Sequence, residues 1–212
     1  MADKIQIICR RSGVIVCVKP KGVLSQDNGT DMCMPALLRA ETGSGYIATI
    51  HRLDRVVFGL MAYAETRDAA AALSGSGLEK TYMAVIKGKP FEIEGEMRDL
   101  LFHDRSKNKS YTVKRMRRGV REAALIYKVL GSVETDGGAL SLVSVRLTTG
   151  RTHQIRVQFA SRKMPVFGDR KYGGGEGHIA LMCQSLKFKD PKTGDICSYS
   201  MEKPDIFPWN LF

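Results

Sequence analysis

Short apolar runs, many of them alternating with polar positions, dominate the chain. Runs of this kind that are rich in β-branched residues predict β-strands. About eight are present, at residues 5–9, 14–19, 58–64, 82–87, 123–130, 140–147, 179–188 and 198–201. Helical patterns are fewer, at residues 33–42, 67–74 and 153–162. Because strands outnumber helices and do not alternate with them strictly, we expect an α+β fold with a mixed, largely antiparallel sheet and flanking helices.

The 212 residues contain no repeat, no low-complexity stretch and no long Ser/Gly/Pro linker. We therefore expect residues 1–212 to form a single domain without an appended RNA-binding domain. No stretch reaches the roughly 18 consecutive apolar residues of a membrane span, and the N-terminus has no secretory signal. These features predict a cytoplasmic protein that does not bind membranes.

The five cysteines are an odd number and form no C-x-x-C pair. Most of them lie inside the apolar runs, which favours reduced, buried thiols over a disulfide framework or a zinc site. We expect no metal and no metal cofactor.

The net charge of +11 and the pI near 9.6 favour a polyanionic partner. Residues 98–121 carry nine Lys and Arg against two Asp, together with three rings that can stack on bases, Phe102, His103 and Tyr111. An exposed hairpin with solubilising charges is the alternative explanation. The RNA-binding candidates in this segment are Arg105, Lys107, Lys109, Lys114, Arg115, Arg117 and Arg118.

Three further segments contain residue types that can act in catalysis. The first, His51-Arg52-Leu53-Asp54-Arg55, places a carboxylate between two arginines in a connection between apolar runs. The second, Lys80-Thr81-Tyr82, begins a strand, and the third runs from Gly150 to Ala160 and includes His153 and Arg156, three residues apart on one face of a predicted helix. Taken singly, each segment is a weak signal, because such an aspartate is usually a turn residue or half of a surface ion pair and the tyrosine could equally belong to the core.

In this order and spacing, however, the segments resemble the RluA family of RNA pseudouridine synthases. That family's motifs run approximately H-R-L-D-R-x-T-S-G-L, K-x-Y-x-A-x-x-x-G and G-R-x-H-Q-I-R-V-H, the last followed by P-x-x-G-D. They match residues 51–60, 80–88, 150–158 and 165–169, and residues 13–22 resemble the family's strand-K-P-x-G entry. The resemblance covers nearly the whole chain and implies a mixed sheet of about eight strands with a central cleft.

Carried over by motif position, the resemblance implies Asp54 as the catalytic carboxylate, Tyr82 as the active-site aromatic and Arg156 as its basic partner. It also implies RNA contacts by His51, Arg52, Arg55, Arg151 and His153, and no cofactor. Two departures stand out. Val56-Val57-Phe58 replaces small polar residues after the motif's aspartate and arginine, and Gln158 replaces a histidine.

The sequence thus predicts a monomeric enzyme that converts uridine to pseudouridine in a structured RNA, either rRNA or tRNA. The main alternative is a non-catalytic RNA-binding or ribosome-assembly factor on the same scaffold. A phosphate-handling enzyme that uses Gly173-Gly174-Gly175 is a weaker alternative, because the Lys-Ser/Thr of a P-loop is missing.

Overall fold

The computed structural model describes residues 5–29, 32–75 and 77–212. Within them the order of elements is β1 (Ile7–Arg11), β2 (Val14–Lys19), α1 (Met34–Thr42), β3 (Ala48–Thr49), β4 (Phe58–Ala64), α2 (Arg67–Gly75), β5 (Glu79–Lys87), β6 (Glu94–Asp104), β7 (Lys109–Val113), β8 (Val120–Val133), β9 (Leu140–Leu147), α3 (Gln154–Ser161), β10 (Leu181–Lys189) and β11 (Ile196–Ser200). Short 3-10 turns span Arg170–Tyr172 and Trp209–Leu211.

Each of the eight runs predicted as strands contains a strand, and each of the three predicted helices is present within a residue or two. The described residues add three strands, of which β3 has two residues. The other two are β6, which carries many charged residues, and β7, which has five residues and is mostly exposed or partly exposed, so the apolar alternation of both is weak in the sequence. The α+β fold class with a mixed sheet is confirmed.

Contacts divide the chain into two compact units. The first comprises the described residues within Met1–Lys80 together with Met182–Glu202. The second comprises Thr81–Leu181 and Lys203–Phe212. The predicted single domain and its central cleft stay predictions.

In the first unit β2 pairs with β1 and with β4, both antiparallel, and β10 pairs with β4 in parallel and with β11 antiparallel. Gly59 lies where β4 approaches β10. Its φ is +125°, and a Cβ at this position would collide with the backbone carbonyl of Cys183. Only glycine fits here, because an L side chain would meet both the strained φ and the neighbouring backbone.

In the second unit the antiparallel strands follow the order β5-β9-β8-β6-β7. Helix α3 packs on one face of this sheet, where Val157 meets Leu101 of β6 and Ala123 of β8. The six residues Gln154 to Phe159 are all buried. Polar side chains on α3 are therefore committed to contacts inside the protein.

All five cysteines are free thiols, and four of them are buried, with Cys9 half-buried. The predicted burial of most of the thiols is confirmed. No helix in the described part of the chain is long and apolar enough to cross a membrane.

Candidate active site

The loop between β3 and β4 carries Asp54, and its backbone is fixed just before the aspartate. The hydroxyl of Ser25 donates to the carbonyl of Leu53 at 2.7 Å and accepts from the Leu53 N–H at 3.0 Å. Ser25 is buried, and its own carbonyl accepts hydrogen bonds from Tyr63 and Thr49. One serine thus satisfies both backbone groups of the residue that precedes Asp54.

The residue after Asp54 is held from the other side, by the segment that follows β2. The carbonyl of Arg55 accepts from the Gly22 N–H at 2.8 Å, and the Arg55 Nε donates to the Gly22 carbonyl at 2.8 Å. The Val57 N–H closes a turn onto the Asp54 carbonyl at 2.9 Å. The Asp54 backbone is therefore clamped on both sides, while its side chain is half-buried.

Lys19 lies at the end of β2 and is completely buried. Its ammonium donates to three carbonyls, those of Pro20 and Val23 at 2.8 Å and that of Arg55 at 3.2 Å. Burial lowers the pKa of Lys19 to about 8, although the nearby Asp54 carboxylate opposes the shift. Three acceptors suit an ammonium with three hydrogens, so below its pKa the lysine supplies a positive charge beside Asp54.

His51 occupies the same loop, with a neutral ring. Its Nε2 accepts a hydrogen bond from the Ala62 N–H at 3.1 Å, so the remaining proton belongs to Nδ1. Burial, reinforced by the charge of Lys80, lowers the pKa of His51 to about 3. The histidine therefore supports the loop, and its predicted contact with RNA stays a prediction.

The departure at residues 56–58 leaves this loop intact. Val57 is buried, Val56 is exposed, and Phe58 lies under the ammonium of Lys21, 5.6 Å from the ring centroid. Backbone hydrogen bonds, Ser25 and Lys19 hold the loop without polar side chains at residues 56–58. Arg52 and Arg55, the two predicted RNA contacts beside Asp54, are both exposed.

Tyr82 lies on β5, opposite Val145 of β9, and is 6% exposed. Arg156 lies in the first turn of α3 and is 5% exposed. Its guanidinium binds the buried Asp169 in two places, Nε to Oδ2 at 2.7 Å and Nη2 to Oδ1 at 2.8 Å. This fork geometry fixes the plane of the guanidinium. The predicted pairing of Arg156 with Asp54 stays a prediction.

Tyr172 supports Arg156 from the adjacent 3-10 turn. The centre of the guanidinium lies 5.1 Å from the ring centroid, a cation–π contact. The Tyr172 hydroxyl accepts from the Ser110 N–H at 2.8 Å and lies 2.9 Å from Nδ1 of His153. The ring thereby joins α3 to the outer edge of β7.

The prediction that His153 and Arg156 share one face of a helix is wrong. His153 is the residue before α3 and adopts a left-handed backbone, with φ 55° and ψ 25°. It is also 8% exposed, because its ring packs on Tyr172 and edge-on to His103. Arg151 is exposed, but its Nε donates to the Glu122 carbonyl at 2.8 Å, so it also braces the loop before the helix.

Gln158, which stands where the family motif has a histidine, is completely buried. Its amide nitrogen donates to the Met97 carbonyl at 3.1 Å and to the Asp99 carboxylate at 2.6 Å. Arg162 pairs with the same carboxylate at 2.9 Å. The glutamine thus ties α3 to β6.

The glycine run at residues 173–175 has a structural role. A Cβ on Gly174 would collide with the Val166 carbonyl, and the Gly174 N–H donates to the Asp169 carbonyl at 2.8 Å. The run therefore closes the loop that presents Asp169. This explains it without a bound phosphate, so the phosphate-handling alternative loses its support.

The basic residues predicted to bind RNA lie on β7 and on the loops at its two ends. Lys109 is half-buried, and the others, Arg105, Lys107, Lys114, Arg115, Arg117 and Arg118, are exposed. His103 faces the α3 side of the sheet, where its Nδ1 lies 3.2 Å from the buried Ser110 hydroxyl, so it does not share a surface with Phe102 and Tyr111.

Sequence reasoning assigned no role to four residues that position these groups: Lys19, Ser25, Asp169 and Tyr172. Two of them were inside quoted motifs, Lys19 in the K-P-x-G entry and Asp169 in P-x-x-G-D. Ser25 and Tyr172 carried no such signal. In the part of the chain that the structure describes, no group of three or more His, Cys, Asp or Glu side chains is placed to hold a metal ion.

The structure thus holds the Asp54 loop by hydrogen bonds on both sides in one α+β unit, and a buried arginine in a fixed plane in the other. Residues 13–161 match the family model described as RNA pseudouridylate synthase. The chain belongs to this family, and the RluA-type resemblance is confirmed by relatives named ribosomal large subunit pseudouridine synthases C and D.

Three relatives illustrate the range of the similarity. An uncharacterized RNA pseudouridine synthase of Bacillus subtilis, YhcT, is 33% identical over 91% of this chain and 67% of its own length. Ribosomal large subunit pseudouridine synthase D of Borreliella burgdorferi is 29% identical over 87% of this chain and 60% of its own length. tRNA pseudouridine synthase C of Yersinia pestis is 24% identical over 97% of this chain and 88% of its own length.

The fold is also that of a solved structure, human RNA Pseudouridylate Synthase Domain Containing 1. The two superpose with a TM-score of 0.77 over 95% of this chain and 84% of the human chain, at 21% sequence identity. Against several relatives the chain is short, spanning 54% to 60% of their length.

Proposed function

We propose that this protein isomerises uridine to pseudouridine in a structured RNA, either ribosomal or transfer RNA, with Asp54 as the catalytic carboxylate. The observation that carries the proposal is the loop of Asp54. Hydrogen bonds from Ser25 and Lys19 fix its two neighbours, and a buried ammonium lies close to its side chain. A surface turn needs no such construction, whereas a reacting carboxylate must be held in place.

The reaction breaks the N1–C1′ bond of uridine and forms a C5–C1′ bond. The C5 proton is lost and N1 regains a proton, so the step is an isomerisation that needs no oxidant and no hydrolytic water. Asp54 acts at the sugar as a nucleophile or as a base. Both roles need the carboxylate, and the positive charge of Lys19 favours the ionised form.

Arg156 supplies a second positive charge for an anionic group at the reacting centre. Its Nε and Nη2 bind Asp169. Because Asp169 and Tyr172 hold the guanidinium in one plane, its charge is presented to the reacting centre in a fixed orientation.

Tyr82 offers a flat face to the detached uracil and a phenol that can approach the C5 proton. Its burial in β5 limits the ring to few rotamers, which suits a group that must keep a turning base in place. The target nucleotide has to leave its stack to reach Asp54, and the exposed Arg52 and Arg55 are suited to hold the displaced backbone.

Relatives are named for both ribosomal and transfer RNA, so the proposal keeps both substrate classes. Bulk RNA labelled with tritium at C5 of uridine tests it without knowledge of the target, because each isomerisation releases one tritium to water. Carbodiimide-dependent reverse-transcription stops then locate the modified position.

We expect the parent protein to release tritium and Asp54→Asn to release none while binding RNA as the parent does. Asp68→Asn, an exposed aspartate on α2, is the matched control and should keep full activity. Tyr82→Phe should retain RNA binding and lower the rate. A folded parent that releases no tritium from any RNA class, yet binds RNA, would instead identify a non-catalytic RNA-binding or ribosome-assembly factor.

A further inference from the structure

Residues 114–119 connect β7 to β8 by crossing over β6; we call them the basic strap. Strand β6 lies between β7 and β8, with Val113 opposite Leu100 on one side and Val120 opposite Phe102 on the other. The connection must therefore pass across one face of β6.

The strap crosses on the face that points away from α3. Leu101 is buried against Val157 of α3, so the next residue, Phe102, points to the opposite face. The guanidinium of Arg117 lies 5.2 Å above the centroid of the Phe102 ring, and a Cβ on Gly119 would meet the same ring at 3.4 Å. The strap therefore packs against the Phe102 ring.

The strap carries four exposed cations, Lys114, Arg115, Arg117 and Arg118. Among the residues that the structure describes, none of the four pairs with a carboxylate. Because Arg117 is held on an aromatic face, part of the entropy cost of ordering it on a ligand is already met. A surface of this charge is complementary to a phosphate backbone.

Beside the strap, Tyr111 lies directly opposite Phe102 in the β6–β7 ladder and is 37% exposed. The Lys109 ammonium lies 5.7 Å from the Tyr111 ring and 5.3 Å from the Tyr172 ring, on which Arg156 also rests. Lys109, on the edge strand β7, thus contacts both the Tyr111 ring beside the strap and the Tyr172 ring.

We propose that the basic strap and Tyr111 form a docking surface for unpaired nucleotides of the substrate RNA. The phosphates lie against the strap and a base stacks on Tyr111. An exposed ring among cations suits unpaired bases, whereas a duplex keeps its bases stacked inside and offers mainly phosphates and sugar hydroxyls. This inference rests on the proposed function, because it names how the same enzyme holds RNA outside the reacting uridine.

Fluorescence anisotropy with a labelled oligouridylate, repeated across a series of salt concentrations, tests the surface. Arg115→Ala and Arg118→Ala should each weaken binding and reduce the slope of log affinity against log salt by about 0.7, the value for one lost phosphate contact on a single strand. Tyr111→Leu should weaken binding roughly 5- to 150-fold, the range found for loss of one stacked base, while Tyr111→Phe should bind as the parent does. A duplex RNA of the same length should respond to the arginine variants and not to Tyr111→Leu.

The matched control is Lys187→Ala, an exposed lysine on β10 that should leave both affinity and slope unchanged. Circular dichroism melting establishes that each variant is folded. Unchanged affinity and slope in the arginine variants would overturn the phosphate surface, and equal binding by Tyr111→Leu and Tyr111→Phe would overturn the stacking.

The experiments distinguish a failure of the docking surface from a failure of the proposed function. If the strap variants bind as the parent does while Asp54→Asn still abolishes tritium release, the docking surface is wrong and the enzyme stands. If the strap variants weaken binding but the parent releases no tritium, the surface stands and the catalytic proposal fails.

Discussion

Arg156 and Asp169 form a buried, two-pronged ion pair thirteen residues apart in the chain, with both contacts at 2.8 Å or less. The Asp169 backbone is itself fixed, because its carbonyl accepts from the N–H groups of Tyr172 and Gly174. The pair therefore presents the guanidinium from a rigid loop. Without its partner, the buried Arg156 would lose both of these hydrogen bonds.

We expect Asp169→Ala to destabilise the protein by about 3–5 kcal/mol, because it breaks a buried ion pair and removes two hydrogen bonds from a desolvated guanidinium. The double variant Asp169→Ala/Arg156→Met should cost less than the sum of the two single changes. Urea unfolding measures both quantities. Asp205→Ala, an exposed carboxylate, is the control, and strictly additive losses in the double variant would contradict the coupling.

Ser25 gives a second prediction, on positioning rather than chemistry. Ser25→Ala removes both hydrogen bonds to Leu53 and should cost about 1–3 kcal/mol, because the Leu53 N–H and carbonyl lose their described partner. The displaced Asp54 loop should lower kcat more than it raises KM, as measured by tritium release at several RNA concentrations. Ser198→Ala, on the exposed side of β11, should leave both constants unchanged. A pure stability loss with an unchanged kcat would reduce Ser25 to a structural role.

The sequence predicted the strands that bury an apolar face, because burial of one face imposes an alternation of apolar and polar residues along the strand. It missed β6, where Arg98, His103 and Asp104 interrupt the pattern, and the short, mostly exposed β7. In these strands a charged residue is tolerated because much of the ladder is partly exposed. These strands were missed because apolar alternation marks only the buried part of a sheet, and this sheet extends beyond that part.

In the candidate site, too, the sequence predicted some residues and missed others. Motif order indicated Asp54, Tyr82 and Arg156, but not the residues that fix the first and the last of them. Lys19 belongs to the K-P-x-G entry, but only the fold shows that it is buried and donates to three carbonyls. His153 was misplaced because helical spacing cannot report a left-handed residue before α3. Such contacts depend on tertiary approach, which local pattern does not encode.

Gly59 gives a third prediction. Gly59→Ala should destabilise the protein by about 2–3 kcal/mol, because alanine is strained at a φ of +125° and its Cβ meets the Cys183 backbone. Gly45→Ala is a matched control, since no atom lies within 4 Å of its added Cβ and its φ is not in the positive region. Thermal melting compares the two, and similar melting temperatures would show that β4 and β10 can separate at little cost.

Lys19 gives a prediction on pH. Below its pKa of about 8 the ammonium has three hydrogens for three carbonyls and a positive charge for Asp54. Above it the neutral amine has two hydrogens, so one carbonyl loses its donor and Asp54 loses the nearby charge. The rate at saturating RNA should therefore fall as the pH rises through about 8.

Lys19→Met keeps the length of the side chain and is uncharged at every pH. We expect it to lower the rate by about tenfold at neutral pH, equivalent to about 1.4 kcal/mol in the barrier, and to abolish the fall near pH 8. Lys187→Met, at an exposed position, should keep the parent's pH profile. If Lys19→Met retains the fall near pH 8, the titrating group is another residue, and the charge beside Asp54 does not control its reactivity.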